Sequence, residues 1–204
     1  AFRKKCRCYS TKEGWLGVHD MNSNHSKHTA TLLPNGRVLV NGGSYAVGLY
    51  SDISEMYDPK TESWEKVGHH FTARESHTAT LLPNGNVLVA GGYAGSYLSS
   101  AQVYDVASDD WISAGTMNKS RAFHTATLLA SGYVLVAGGY NNIDYNMGSA
   151  EFYNPATDVW SETGLLINPR GLHTATLLQD GKVLVVEGEN NGGYFQSAEL
   201  FNPT

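Results

Sequence analysis

The hexapeptide His-Thr-Ala-Thr-Leu-Leu occurs four times in this chain, at His28–Leu33, His77–Leu82, His124–Leu129 and His173–Leu178. The four histidines are 49, 47 and 49 residues apart, a period that makes the chain an array of one supersecondary unit repeated. A unit of that length cannot bury its own apolar face. It must stack on its neighbours.

Each hexapeptide leads through a turn into a second apolar run. The turns are Pro34-Asn35-Gly36, Pro83-Asn84-Gly85, Ala130-Ser131-Gly132 and Gln179-Asp180-Gly181. Asn-Gly and Asp-Gly accept the positive φ angles of tight turns and signal a β-hairpin between the two runs, and three of the four turns carry one of them. The second runs are Val38-Leu39-Val40, Val87-Leu88-Val89, Val134-Leu135-Val136 and Val183-Leu184-Val185. They are continuously apolar and predict strands covered on both faces.

Diglycine follows at Gly42-Gly43, Gly91-Gly92 and Gly138-Gly139, permitting close backbone approach; the fourth copy has Glu187-Gly188 instead. After a variable loop come third strands at Ser54–Tyr57, Ala101–Tyr104, Ala150–Tyr153 and Ala198–Phe201. Seven residues beyond the aromatic residue of the first three stand Trp64, Trp111 and Trp160, opening a fourth, outer strand. Four antiparallel strands per unit of this length match one blade of a β-propeller.

Together, HTAT-LL, VLVAGG, SAE-Y and the following tryptophan resemble the kelch repeat, and more narrowly the HTATLLPNG-VLVAGG variety found in galactose-oxidase-like propellers. The resemblance covers nearly all of the chain after residue 8. It implies an all-β propeller of four four-stranded antiparallel blades over residues 9–204, preceded by a tail over 1–8. It also implies a binding scaffold rather than an enzyme, recognising protein or glycan through its loops. The alternative it carries is a copper radical oxidase, or a degenerate piece of one, which would need copper held by Tyr and His and a Tyr-Cys crosslink.

The last repeat stops before any tryptophan, while Trp15 precedes His28 by the same 13 residues that separate each later tryptophan from its histidine. An N-terminal outer strand around Trp15 therefore has the phase to complete the fourth blade and close the ring. A piece of a larger propeller would show the same phase, and an incomplete array invites self-association. Both arrangements stand at this point.

In an up-and-down blade, the loop after strand two and the link into the next blade emerge on one face. The candidate ligand face accordingly collects Tyr45, Tyr93, Tyr97, Tyr140, Asn142, Tyr145, Glu189 and Tyr194 from the loops, with Tyr50, and Arg74, Arg121 and Arg170 from the links, with His69 and His70. Tyr and Arg are typical anchors of recognition surfaces. The three arginines also have a structural reading, since each lies three residues before a repeat histidine and could pair with Glu55, Glu151 or Glu199. The repeat histidines divide similarly: near an axis they invite a metal, whereas on a strand covered on both faces they read as hydrogen-bonded packing residues.

Departures from the repeat are sharper pointers. Glu187-Gly188-Glu189 puts a carboxylate where three copies have glycine; paired carboxylates can act as acid and base or hold a cation, and decay of a terminal repeat explains them as well. Asn141–Asn146 offers oxygens for sugar hydroxyls or calcium, or ordinary turn chemistry. The sequons Asn24-His25-Ser26 and Asn118-Lys119-Ser120 fall in links between blades and tilt slightly toward secretion.

Composition sets the remaining bounds. With 41% hydrophobic and 16% charged residues the chain is globular, and its 22 glycines and 12 tyrosines suit short strands and tight turns. A formal charge of −5 gives no basic field for nucleic acid, no run approaches the length of a membrane helix, and the basic residues Arg3, Lys4, Lys5 and Arg7 sit in the tail. Cys6 and Cys8, the only cysteines, provide no disulfide framework and no complete zinc set, and no cofactor motif is present.

Overall fold

The computed structural model describes residues 14, 17–69 and 71–203, all of them in strands, turns and loops without a helix. The first blade is a four-stranded sheet of β1 (Thr29–Leu32), β2 (Val38–Asn41), β5 (Ser54–Asp58) and β6 (Ser63–Val67). Between β2 and β5 lies a small ribbon of β3 (Ser44–Ala46) and β4 (Leu49–Tyr50). The second blade consists of β7 (Thr78–Leu81), β8 (Val87–Ala90), β9 (Ser100–Asp105) and β10 (Asp110–Thr116).

The third blade has β11 (Thr125–Leu128), β12 (Val134–Ala137), β15 (Ala150–Asn154) and β16 (Val159–Glu162), with a ribbon of β13 (Tyr140–Asn141) and β14 (Tyr145–Asn146). In the fourth, β17 (Thr174–Leu177), β18 (Val183–Val186) and β21 (Ala198–Phe201) form a three-stranded sheet among the described residues, with a ribbon of β19 (Glu189–Asn190) and β20 (Gly193–Tyr194). All pairings between these strands are antiparallel, in the expected order. The tail, both cysteines, Trp15 and His70 lie outside the described residues.

Two details differ from the sequence reading. The loops after strand two hold short ribbons in three blades, because residues such as Gly48 (φ 73°), Tyr145 (φ 55°) and Gly193 (φ 121°) reverse the chain tightly enough for it to pair with itself. The hairpin turns use the left-handed region only at the glycine: Gly36 (φ 84°) donates its N–H to Leu33 O, and Asn35 turns its side-chain oxygen to the N–H of Arg37. The glycine is therefore fixed, while the residue before it needs only a short polar side chain.

The core lies between blades. Leu39, Met56, Val67 and Phe71 of the first blade and its exit meet Val87, Val89, Tyr104 and Trp111 of the second. Leu88, on the opposite face of β8, joins Val134, Val136 and Tyr153 of the third blade, and Leu135 joins Val183 of the fourth. Alternate residues of one apolar strand thus serve two different interfaces, which is why the runs do not alternate in polarity. At the periphery the indoles reach back, Trp160 Nε1 donating to Ala114 O at 2.9 Å, Trp111 Nε1 to Ser54 Oγ at 3.0 Å and Trp64 Nε1 to His19 O at 3.0 Å.

Near the inner strands, successive blades are joined by their histidines. Nε2 of His77, His124 and His173 lies 3.0, 3.0 and 2.9 Å from the hydroxyl of Thr29, Thr78 and Thr125 on the preceding blade. Each ring rests on the first glycine of the preceding diglycine: a Cβ at Gly42, Gly91 or Gly138 would stand 2.6, 2.8 or 2.7 Å from the next blade's imidazole Cε1. The second glycine donates its N–H across the same joint, from Gly43, Gly92 and Gly139 to the carbonyls of Arg74, Arg121 and Arg170. The packing reading of the repeat histidines fits this geometry.

Burial, followed by the nearby arginines, pushes the pKa of His77 down to about 3, that of His173 to about 4, and that of His124 well below 6.5. The joints are thus built for neutral imidazole. Because the folded state resists protonation more than the unfolded chain does, this contribution is complete above about pH 6.5 and is lost as pH falls toward 4. Urea titrations are expected to give a flat midpoint from this source above pH 6.5 and a steep decline below it, and His124→Gln should flatten part of that decline.

Candidate functional site

Ser44, Tyr93, Tyr140 and Glu189 occupy one position, the first residue after the diglycine or its counterpart, in the four blades. Each forms a β-bridge with a residue of the link entering its own blade: Ser26, Glu75, Ala122 and Gly171 respectively. This brings the loop residues of all four blades onto one face. There Tyr50 meets Tyr93 edge-on at 5.7 Å, Tyr93 meets Tyr97 at 5.2 Å, and Tyr140 meets Phe123 at 5.8 Å.

Tyr140 crosses to the fourth blade and donates its phenol to Glu189 Oε1 at 3.2 Å. Its ring covers Gly171, where a Cβ would come within 2.5 Å of it. Burial first, and then the Glu189 carboxylate, push the Tyr140 phenol up to about 12, so it remains a donor at neutral pH. Burial and Tyr93 likewise raise Tyr97. This aromatic arc consists of two ring clusters, Tyr50–Tyr93–Tyr97 and Phe123–Tyr140, the second ending in the Glu189 carboxylate.

The rim of this face is apolar. Tyr45 and Val47 on the first ribbon are 56% and 104% exposed, Ile143 and Tyr145 on the second 83% and 65%, and Tyr194 on the third 87%. Asn142 is also exposed. Beside the first ribbon opens a cleft of about 580 Å³ lined by Asn24, Ser26, Lys27, Tyr45, Tyr50 and Glu75 among others, with Lys27 Nζ 2.9 Å from Glu75.

Arg74, Arg121 and Arg170 do not reach this surface. Each is fully buried and takes the structural role that the sequence left open. Nη1 of each donates to two carbonyls of its own blade: Gly91 and Ser100, Gly138 and Ser149, or Glu187 and Ser197. Nη2 reaches Glu151 at 2.8 Å in the third blade and Glu199 at 2.7 Å in the fourth, but Gln102 at 3.3 Å in the second. The guanidinium clips the start of the variable loop to its end.

The sequence reading missed the third member of this clip. Asn118 and Asn168 donate backbone and side-chain N–H to the same carboxylates, and Asn22 does so to Glu55. Their fixed distance of two or three residues before the arginine or His25 was the available signal. For Asn118 it means that the sequon nitrogen is engaged with Glu151, whereas Asn24 is exposed at the cleft.

The other departures resolve as follows. In Asn141–Asn146, Asn141 Oδ1 accepts the N–H groups of Ile143 and Asp144, and Asp144 pairs with Lys119 at 3.0 Å, which is turn chemistry. Glu187 is exposed at φ 59° where the other blades seat a histidine against glycine. His69 bridges to Asp110 beside the outer strand β10. Among the described residues no three His, Cys, Asp or Glu side chains stand together as a metal set.

Residues 27–204 match the family model described as the KLHDC2/KLHL20/DRC7 Kelch-repeats domain. No curated protein matches the chain.

Among the described residues the buried guanidinium of the second blade has no carboxylate partner, and burial lowers the pKa of Arg74 to about 10. Restoring the partner with Gln102→Glu is expected to raise stability by about 1–2 kcal/mol, while Glu151→Ala should cost about 3–5 kcal/mol by stranding Arg121. Urea unfolding at neutral pH measures both.

Proposed function

As the chain belongs to the kelch-repeat family, we propose that it is a non-catalytic scaffold that binds protein through the face formed by its three ribbons and the aromatic arc. One observation carries this reading: Tyr45, Val47, Ile143, Tyr145 and Tyr194 stand exposed on one face, while the repeated arginines are sealed inside the blades. Aromatic and aliphatic tips around a pre-ordered centre supply contact area at small ordering cost, which is what a recognition surface requires. The arc is held by neighbouring rings and by the Tyr140–Glu189 bond, so its side chains are ordered before any ligand arrives.

The test compares wild type with a Tyr45→Ala, Tyr145→Ala, Tyr194→Ala triple variant and with Ile112→Ala, a side chain 53% exposed on the outer strand β10. Cross-linking in extract followed by mass spectrometry is expected to recover partners with wild type and Ile112→Ala and to lose them at least about tenfold with the triple variant. Equal recovery from all three overturns the assigned face. Stoichiometric copper in the purified protein, together with peroxide release from galactose, overturns the scaffold reading itself.

A further inference from the structure

The first blade closes its clip differently from the other three. Where they carry arginine it carries His25, whose Nδ1 lies 2.6 Å from Gly42 O and whose Nε2 lies 3.4 Å from Glu55 Oε1. Both side chains are fully buried. A carbonyl and a carboxylate only accept hydrogen bonds, and neutral imidazole has a single N–H to give. The site is complete only when both ring nitrogens carry protons.

Glu55 is an anion in this setting. Burial alone would raise its pKa, but hydrogen bonds from the Asn22 backbone and side chain, and then from His25 and Ser23, outweigh it and hold the carboxyl below the usual carboxylate range. An uncompensated buried carboxylate is costly, and in blades three and four arginine supplies a charge that does not titrate. In blade one the balancing charge comes from an imidazole, which, unlike guanidinium, can lose its proton.

We propose that His25 is held as imidazolium and serves as a proton-dependent clip. Loss of one proton releases either the Gly42 carbonyl or the Glu55 carboxylate and loosens the base of the first ribbon and of the cleft beside it. His25 itself lines that cleft, together with Ser44, Tyr45 and Tyr50 of the ribbon. The fourfold clip thus has one member that responds to pH.

The surrounding charges support this assignment. Lys66 stands opposite Glu55 across the β5–β6 pair. The His28 ring lies 6.0 Å from that of His25, and burial followed by the charge of His25 lowers its pKa. Lys27 and Glu75, at the rim of the cleft, are paired with each other. His77, packed against Gly42 from the second blade, is pushed down to about 3 by burial and stays neutral around neutral pH.

The sign is opposite to that of the inter-blade joints. A charged partner in the folded state makes the clip's contribution complete at lower pH and removes it as pH rises through the histidine range. The proposal concerns the order of the first blade and does not depend on what the face binds.

Amide exchange followed by NMR, expressed as protection factors, tests it on the intact chain. The reporters are the Gly42 N–H, bonded to Ile53 O at 3.1 Å, and the Ser51 N–H, bonded to Gly43 O at 2.8 Å. Their counterparts at Gly91 and Gly138, bonded to Ser100 O and Ser149 O, sit under arginine clips and serve as internal controls. Between about pH 6 and 8, protection at Gly42 and Ser51 is expected to fall roughly tenfold while Gly91 and Gly138 stay constant, and His25→Arg should abolish the difference. Nitrogen-15 spectra of the wild-type ring should show both His25 nitrogens protonated at pH 6, a readout that needs no variant to fold. A singly protonated His25 at that pH, or parallel behaviour of Gly42 and Gly91, overturns the proposal.

Discussion

The packing of an imidazole against a bare glycine is the contact on which the rest of the structure depends. His77, His124 and His173 each reach across to the blade before, bond to its first threonine hydroxyl, and lie where any side chain on Gly42, Gly91 or Gly138 would have to be. The same joint carries the hydrogen bond from the second glycine to the backbone of the next blade's arginine. These contacts set how closely successive sheets approach, and that spacing lets alternate residues of β8 or β12 fill two interfaces at once. A blade has no core of its own, so the joint and the core are formed together.

Much of this was legible in the sequence because repetition removes ambiguity: one Val-Leu-Val is a short apolar run, but four in phase fix strand order, hairpins and blade length. The covered faces of β8 and β12, the outer-strand tryptophans and the two readings of the arginines were all visible there. The role of Asn22, Asn118 and Asn168 was not, because a polar residue in a link looks like any turn former until its carboxylate partner arrives from a strand more than thirty residues away. The candidate face was only partly legible. Topology assigned Tyr93, Tyr140 and Glu189 to one side, but only the structure shows the bond from the phenol to the carboxylate, and that Arg74, Arg121 and Arg170 are sealed inside the blades.

A division of labour follows from where repeated and variable residues lie. Residues shared by the blades satisfy buried donors and acceptors, and their cost if removed is that of stranded charge or broken packing. Residues that differ between blades gather on the ribbons and at the mouth, where the chain is free to change without disturbing a joint. Blade one shows an intermediate case, in which a structural position has been given a titratable residue. Its imidazole faces a carboxylate, whereas the three inter-blade imidazoles face threonine hydroxyls and burial lowers their pKa.

The joint can be separated from the general strain of left-handed glycine by comparing two alanine substitutions in the second blade. Gly91 (φ 61°) and Gly95 (φ 84°) have similar backbones, but a Cβ at Gly91 would stand 2.4 Å from Arg121 O and 2.8 Å from His124 Cε1, whereas among the described residues nothing beyond its chain neighbours lies within 4 Å of one at Gly95. Urea unfolding of Gly95→Ala should show a loss of about 1 kcal/mol, the cost of the backbone conformation alone. Gly91→Ala should lose about 3 kcal/mol or more, because the second and third blades can no longer close on each other. Equal losses for the two variants would contradict the account.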